Sequence, residues 1–277
     1  KQGGVIVHVL NEKPKFRENQ EVECEIDLER RLQLAKHHTS THIINAAARK
    51  VLGKHINQAG AKKDIDKATI DLTHYQSITD EEIEQIEKEA NRLVKAGIQV
   101  QSNFVPRTEA EQTYGMGIYQ GGAVPGKLLR IVNIPNIDVE ACGGTHLKNT
   151  SEAGEIKILK ATKISDGIVR LYFTAGEAAH REGKKEKEIL EESAKLLNVK
   201  VEQLPSRVSN LFEKWKKYGK AVEKLKKVSD DNKTIVLSNL MLKELEGWLP
   251  VEEFKGNVLD KVSEILKTQP EHVVKTI

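Results

Sequence analysis

Two short segments carry most of the chemistry available to this sequence. His38-Thr-Ser-Thr-His42 places two imidazoles four residues apart, and on a helix that spacing puts both on one face. Cys142-Gly-Gly-Thr-His146 sets a thiol and a third imidazole around two glycines, which let the backbone bend until both side chains converge. One thiolate and three neutral imidazoles make a tetrahedral donor set suited to zinc. The plainer alternative is a small buried cysteine with histidines satisfied by hydrogen bonds. A zinc protease of the HExxH kind needs a glutamate beside the first histidine; Thr39 stands there, which argues against protease chemistry. His37 reads as a surface residue or a support for the ligands. A nucleophilic Cys142–His146 pair is disfavoured, because metal ligation by the same atoms uses up the thiolate. Four protein ligands ordinarily close a zinc site and make it structural, so hydrolysis there requires the metal to expand its coordination or only to position substrate.

The elements that must position these residues read as follows. A helix over about 30–52, closed by Gly53, carries the histidine pair. Strand-like runs are expected at 5–10, 21–27, 67–74, 98–103, 129–134, 155–159 and 168–173. Ile78-Thr79-Asp80-Glu81-Glu82-Ile83 has the pattern of a capping box with a hydrophobic staple, opening a helix that runs to about Ala96. Arg107 to Tyr114 reads as a short helix, followed by a glycine-rich loop at 119–126 that is either a source of backbone donors or an ordinary turn. After Thr174 the strand signals fade. Helices are expected at 177–197 and 205–227, and weaker ones at 234–245 and 256–267. Arg107, Asp71 and Glu140 are candidate polar site residues whose simpler reading is structural.

Composition narrows the class. The chain has 277 residues, 44 basic and 41 acidic, and 4% aromatics. No apolar run approaches the ~20 residues of a membrane span, so no membrane is expected. Two cysteines, Cys24 and Cys142, cannot form a disulfide framework, which fits a reducing, cytoplasmic setting. The formal charge of +3 conceals a local excess: Arg207 to Lys227 holds eight basic residues against two acidic ones. Lys214, Lys216, Lys217, Lys220 and Lys224 in that stripe are candidate RNA contacts, set against a merely solvated surface. A weaker patch comprises Arg49, Lys50, Lys54, Lys62, Lys63 and Lys67.

His38–His42, Gln58-Ala59-Gly60, Tyr119–Gly126, Val139–His146 and Asp166-Gly167-Ile168-Val169-Arg170, taken in order, resemble the editing region of alanyl-tRNA synthetase, most closely its archaeal form. The resemblance covers roughly residues 1–179. It implies a hydrolase that removes serine or glycine wrongly esterified to alanine tRNA, with one zinc per chain on His38, His42, Cys142 and His146. It further implies that Thr41 and Gln58 handle the misacylated amino acid. Serine follows the Gln-x-Gly of many bacterial members; Ala61 stands here, so no hydroxyl role is assigned to it. The implied fold is α+β: a two-layer editing domain with a zinc site at 29–179, preceded at 1–28 by the end of a truncated β-barrel segment and followed at 180–277 by a helical, tRNA-contacting linker. The implied partners are alanine tRNA and the remainder of the synthetase, its aminoacylation and C-terminal modules, so the stretch reads as a cut-out or a split subunit. A free-standing trans-editing protein and a non-catalytic zinc-stabilised tRNA-binding module are the alternatives.

Overall fold

The computed structural model describes residues 7–120, 122, 124–226 and 248–277. The chain divides into two units, Lys1–Gly176 and Glu177–Ile277. The first is mixed α/β with two small antiparallel sheets. Helix α1, Leu28–Leu52, opens on Asp27, whose carboxylate accepts the Arg30 N–H at 2.9 Å. It ends at Gly53, whose φ of 118° favours glycine.

Strands β1 (Gln58–Lys63) and β2 (Ala68–Thr73) follow, then α2 (Asp80–Lys95). The expected capping box of α2 is present. Thr79 Oγ1 accepts from Glu82 N at 3.2 Å, and Glu82 Oε2 accepts from Thr79 N at 2.8 Å. Strand β3 (Gln101–Pro106), α3 (Arg107–Tyr114), β4 (Leu128–Ile134) and β5 (Asp138–Ala141) come next, and β6 (Ile156–Ser165) and β7 (Ile168–Ala175) close the unit.

The larger sheet runs β1-β2-β7-β6 and the smaller β3-β4-β5. Period-two alternation decides which face of the larger sheet is buried. The pairs Ala68–Phe173, Ile70–Leu171 and Leu72–Val169 lie opposite one another across β2 and β7. They pack in one core with Ile43, Ile44, Ala47 and Ala48 of α1 and with Ile86, Ala90, Leu93 and Val94 of α2. Two helices therefore cover one face of the sheet. On the other face Asp71 faces Arg170 in a two-pronged ion pair at 2.6 and 2.9 Å. Asp71 is thus a structural residue, in line with its simpler reading.

The second unit is helical: α4 (Glu177–Leu197), α5 (Leu204–Lys226), α6 (Val258–Leu266) and the short α7 (Val273–Thr276). Its own core gathers Ala194, Leu204, Val208, Leu259, Val262 and Val273.

The structure corrects several expectations. Residues 7–27 contain no strand and are exposed, so the runs at 7–10 and 21–27 are not strands; residues 1–6 lie outside the described residues. Their apolar side chains, such as Val9 at 90% exposure, find no partner strand among the described residues, and a lone strand has nothing to pair with. Strand β3 begins later than expected, and β6 runs six residues further. Strands β1 and β5 were not anticipated. The helix expected at 234–245 lies outside the described residues.

Candidate metal centre

Helix α1 presents His38 and His42 one turn apart, and the loop after β5 brings Cys142 and His146 to meet them. One donor atom from each of the four lies within 4.8 Å of every other. Cys142 Sγ is 3.3 Å from Nε2 of both His38 and His146. A tetrahedral zinc with ordinary bond lengths has S···N edges of about 3.5 Å, so the donor set fits that ion closely.

Neighbours fix the orientation of each ligand. His42 Nδ1 lies 2.8 Å from Asp138 Oδ2, which leaves Nε2 for the centre. Asp138 and Glu140 sit two apart on β5 and so share a face; Glu140 Oε2 is 3.4 Å from the same nitrogen, and Asn45 Nδ2 donates to Glu140 Oε1 at 3.3 Å. Arg49 reaches Asp138 Oδ1 at 3.5 Å from the far side. His146 Nδ1 is 3.3 Å from Thr39 Oγ1, which also accepts the Leu147 N–H. Thr39, at the position of the absent protease base, therefore serves as an orienter. The loop itself hangs on Arg130 of β4. Its Nη1 donates to the carbonyls of Cys142 and Gly144, each at 2.8 Å, while the Arg130 carbonyl accepts the Cys142 N–H.

The electrostatics follow from burial and proximity. Burial opposes a thiolate at Cys142, but hydrogen bonds from His146, His38 and His42 outweigh it and hold the thiol far down, at about 2. Burial lowers His38, and lowers His146 to about 4, keeping their lone pairs available. Burial alone would depress His42, but Asp138, Cys142 and Glu140 raise it to about 10. Burial, chiefly, lifts Glu140 to about 8, with the Asp138 charge adding to it and His42 opposing. A thiolate among imidazoles, with the Asp138 carboxylate behind His42, is a donor set that could hold a cation. Asp138→Ala is expected to weaken metal affinity roughly 10–100-fold, read by competition against a chromophoric chelator.

Other candidates fall elsewhere. Thr41 is fully buried and its hydroxyl donates to the His37 carbonyl at 2.9 Å, so it can offer a substrate only its lone pairs. Gln58 opens β1, and its N–H donates to Gln120 Oε1 at 2.7 Å, tying it to the glycine-rich loop. Arg107 clasps that loop through the carbonyls of Val124 and Gly126 and through Tyr119 Oη, a structural role. His37 is not at the surface: it is fully buried, with Nδ1 2.7 Å from the Asp64 carbonyl and Nε2 3.1 Å from Gln33.

On α5, Lys214 lies over the Trp248 ring, and Lys216 over Phe212 and beside Glu213; Lys217 and Lys220 are exposed, and Lys224 belongs to the same helix. In the weaker patch, Lys50 is paired with Glu89 at 2.9 Å and Arg49 with Asp138. Sequence reasoning missed Asp138, Thr39 and Arg130. Only Asp138 left a signal, its two-residue spacing from Glu140 just before the cysteine.

A family model described as the threonyl and alanyl tRNA synthetase second additional domain matches residues 129–172, which include Cys142 and His146. That stretch of the first unit is therefore of the tRNA-synthetase additional-domain class. Over 278 residues the chain is 43% identical to the alanine–tRNA ligase of Pyrococcus abyssi, an alignment that covers 99% of this chain and 30% of that relative. It is 46% identical over 263 residues to that of Pyrococcus furiosus, with 94% and 28% covered, and 47% identical over 227 residues to that of Methanococcus vannielii, with 82% and 25% covered. The chain belongs to the alanyl-tRNA synthetase family and spans under a third of the length of these relatives. Among the described residues no helix is long and apolar enough to cross a membrane.

Proposed function

We propose that the first unit is the editing site of an alanyl-tRNA synthetase. It hydrolyses the ester that joins serine or glycine to the 3′-terminal ribose of alanine tRNA and works beside the aminoacylation and C-terminal modules in the cytoplasm. The observation that carries this reading is the convergence of His38 and His42 of α1 with Cys142 and His146, the latter two in the segment that matches a synthetase additional domain.

The chemical need is general. A site built for alanine cannot strongly exclude the smaller glycine or an added hydroxyl, and a second hydrolytic sieve supplies the missing discrimination. One zinc per chain, when bound, supplies positive charge that polarises an oxygen or anchors the terminal ribose. The protein's part is positional. Helix α1 fixes two donors, Arg130 shapes the loop that brings the other two, and Asp138 and Thr39 turn the imidazoles inward. On this reading Thr41 and Gln58 handle the amino acid, with Gln58 joined to the glycine-rich loop through Gln120.

Deacylation of seryl-alanine-tRNA by the native chain and by Cys142→Ala tests the reading. Hydrolysis by the native chain and a loss of at least about a hundredfold in the variant are expected. Undiminished hydrolysis in the variant removes the metal from the reaction. The closed set of four protein donors favours a second reading, a zinc-stabilised tRNA-binding module without catalysis. Zinc-loaded native chain that binds tRNA and leaves the ester intact selects that one. In either case the α5 stripe contributes to tRNA affinity. Lys216, Lys217 and Lys220 exchanged together for glutamate are expected to weaken binding and flatten its dependence on salt, measured by filter binding across a salt series.

A further inference from the structure

Beside the metal centre the first unit has a cavity of about 490 Å³ between the start of α1 and the end of β1. Arg30, Arg31 and Lys63 line it, and His38 and Thr145 form the wall toward the four donors. Asp27 is its one acid, and that carboxylate already accepts the Arg30 N–H as the helix cap. Leu34 and Ala35 supply an apolar flank.

Lys63 is the unusual member. It is half-buried at the last position of β1, and no carboxylate pairs with it among the described residues. Burial lowers its ammonium below the ordinary lysine range, with only the more distant Cys142 and Glu140 charges pulling the other way. A lysine that gives up solvent without gaining a partner costs stability. Arg30 and Arg31 add two more positive groups, both exposed, on the rim of the same concavity. The result is a positively charged recess with one wall shared with a metal ligand.

The complementary ligand is an anion that reaches the recess while another part of the same molecule meets His38. In the reading proposed above, the reacting ester sits on the terminal ribose of an RNA. The nearest anion to that ester is the phosphodiester on the 5′ side of the same nucleoside. We propose that Arg30, Arg31 and Lys63 form a phosphate subsite that holds this phosphodiester, with Lys63 as the innermost positioning residue. The inference rests on that reading for the identity of the ligand. Lysine suits the role as a point charge, and the two arginines as forked donors at the rim.

Equilibrium binding of the dinucleotide cytidylyl-adenosine and of adenosine to the zinc-loaded full chain tests the subsite without any hydrolysis. The native chain is expected to bind the dinucleotide roughly tenfold or more tightly than adenosine, the size of one charge-assisted contact. Lys63→Met removes most of that preference and leaves adenosine affinity and zinc content unchanged; Lys63→Arg restores most of it. Equal affinities of the native chain for the two ligands overturn the proposal. So does a Lys63→Met variant that weakens both ligands alike or loses its zinc, because the lysine then serves the fold. Inorganic phosphate that competes as well as the dinucleotide marks an indiscriminate anion site and overturns the assignment to RNA. Failure to deacylate seryl-tRNA is a separate result: it bears on the proposed reaction and leaves this binding comparison intact.

Discussion

Gly144→Ala is expected to strip the centre of metal, while Gly143→Ala leaves it loaded. The two glycines are neighbours in the same loop, and their chemistry is identical, so the difference is purely steric. A methyl group at Gly144 would overlap the imidazole of His38, whereas one at Gly143 meets nothing within 4 Å. Neither glycine has the positive φ that would penalise alanine by itself. The loop cannot back away, because the Gly144 carbonyl is held by Arg130 at 2.8 Å. His38 must therefore rotate out, and a four-donor site with three donors left binds far more weakly. Metal analysis of the two purified variants measures this directly: about one zinc per chain for Gly143→Ala and a small fraction of that for Gly144→Ala. Equal loading would mean that the loop yields where the geometry says it is tethered.

The second large effect lies in the core. Phe173 on β7 is fully buried, packed in the core formed with α1 and α2, and edge-on to His37 at a centroid distance of 6.0 Å. Phe173→Ala is expected to destabilise the first unit by about 3–5 kcal/mol, the usual cost of an aromatic-to-alanine cavity. For a unit of this size that lowers Tm by roughly 6–20 °C. Thermal unfolding followed by circular dichroism checks it. Added zinc should recover part of the loss, since an ion that binds only the folded state stabilises it by mass action. A change below about 1 kcal/mol would mean that the core closes over the void.

Much of this architecture can be read from residue order, and the exceptions have physical reasons. Helix α1 is legible from Gly53 and the apolar spacing before it, and α2 from Thr79 and Glu82, because capping is a local interaction. Strand β1 is not legible. Gln-Ala-Gly-Ala-Lys-Lys has no β-branched or aromatic residue, and its strand state comes wholly from pairing with β2. Strand β5 is four residues long with two carboxylates, a composition that reads as a loop until Asp138 and Glu140 find His42. The opposite error occurs at 7–10, where Val7, Val9 and Leu10 look like a strand and have no neighbour to pair with among the described residues. The donors were legible as two pairs, because the spacing within each segment places its two side chains together. Thr39, Arg130 and the separate duties of Gly143 and Gly144 depend on which loop atom faces which helix residue, and that is set by tertiary register.

Helix α1 serves two masters at adjacent positions. Its His37 side is fastened to the Asp64 carbonyl, and through Gln33 to the Ala175 carbonyl at 2.9 Å, while His38 and His42 sit one residue further round, about 100° away. The helix is thus locked against rotation by contacts that have nothing to do with a metal. The facing half of the centre is a loop with two glycines, held at its start by Arg130 and at its end by the Leu147 N–H on Thr39. Both halves are therefore tethered by the protein's own hydrogen bonds, which preorganises the four donors for a cation.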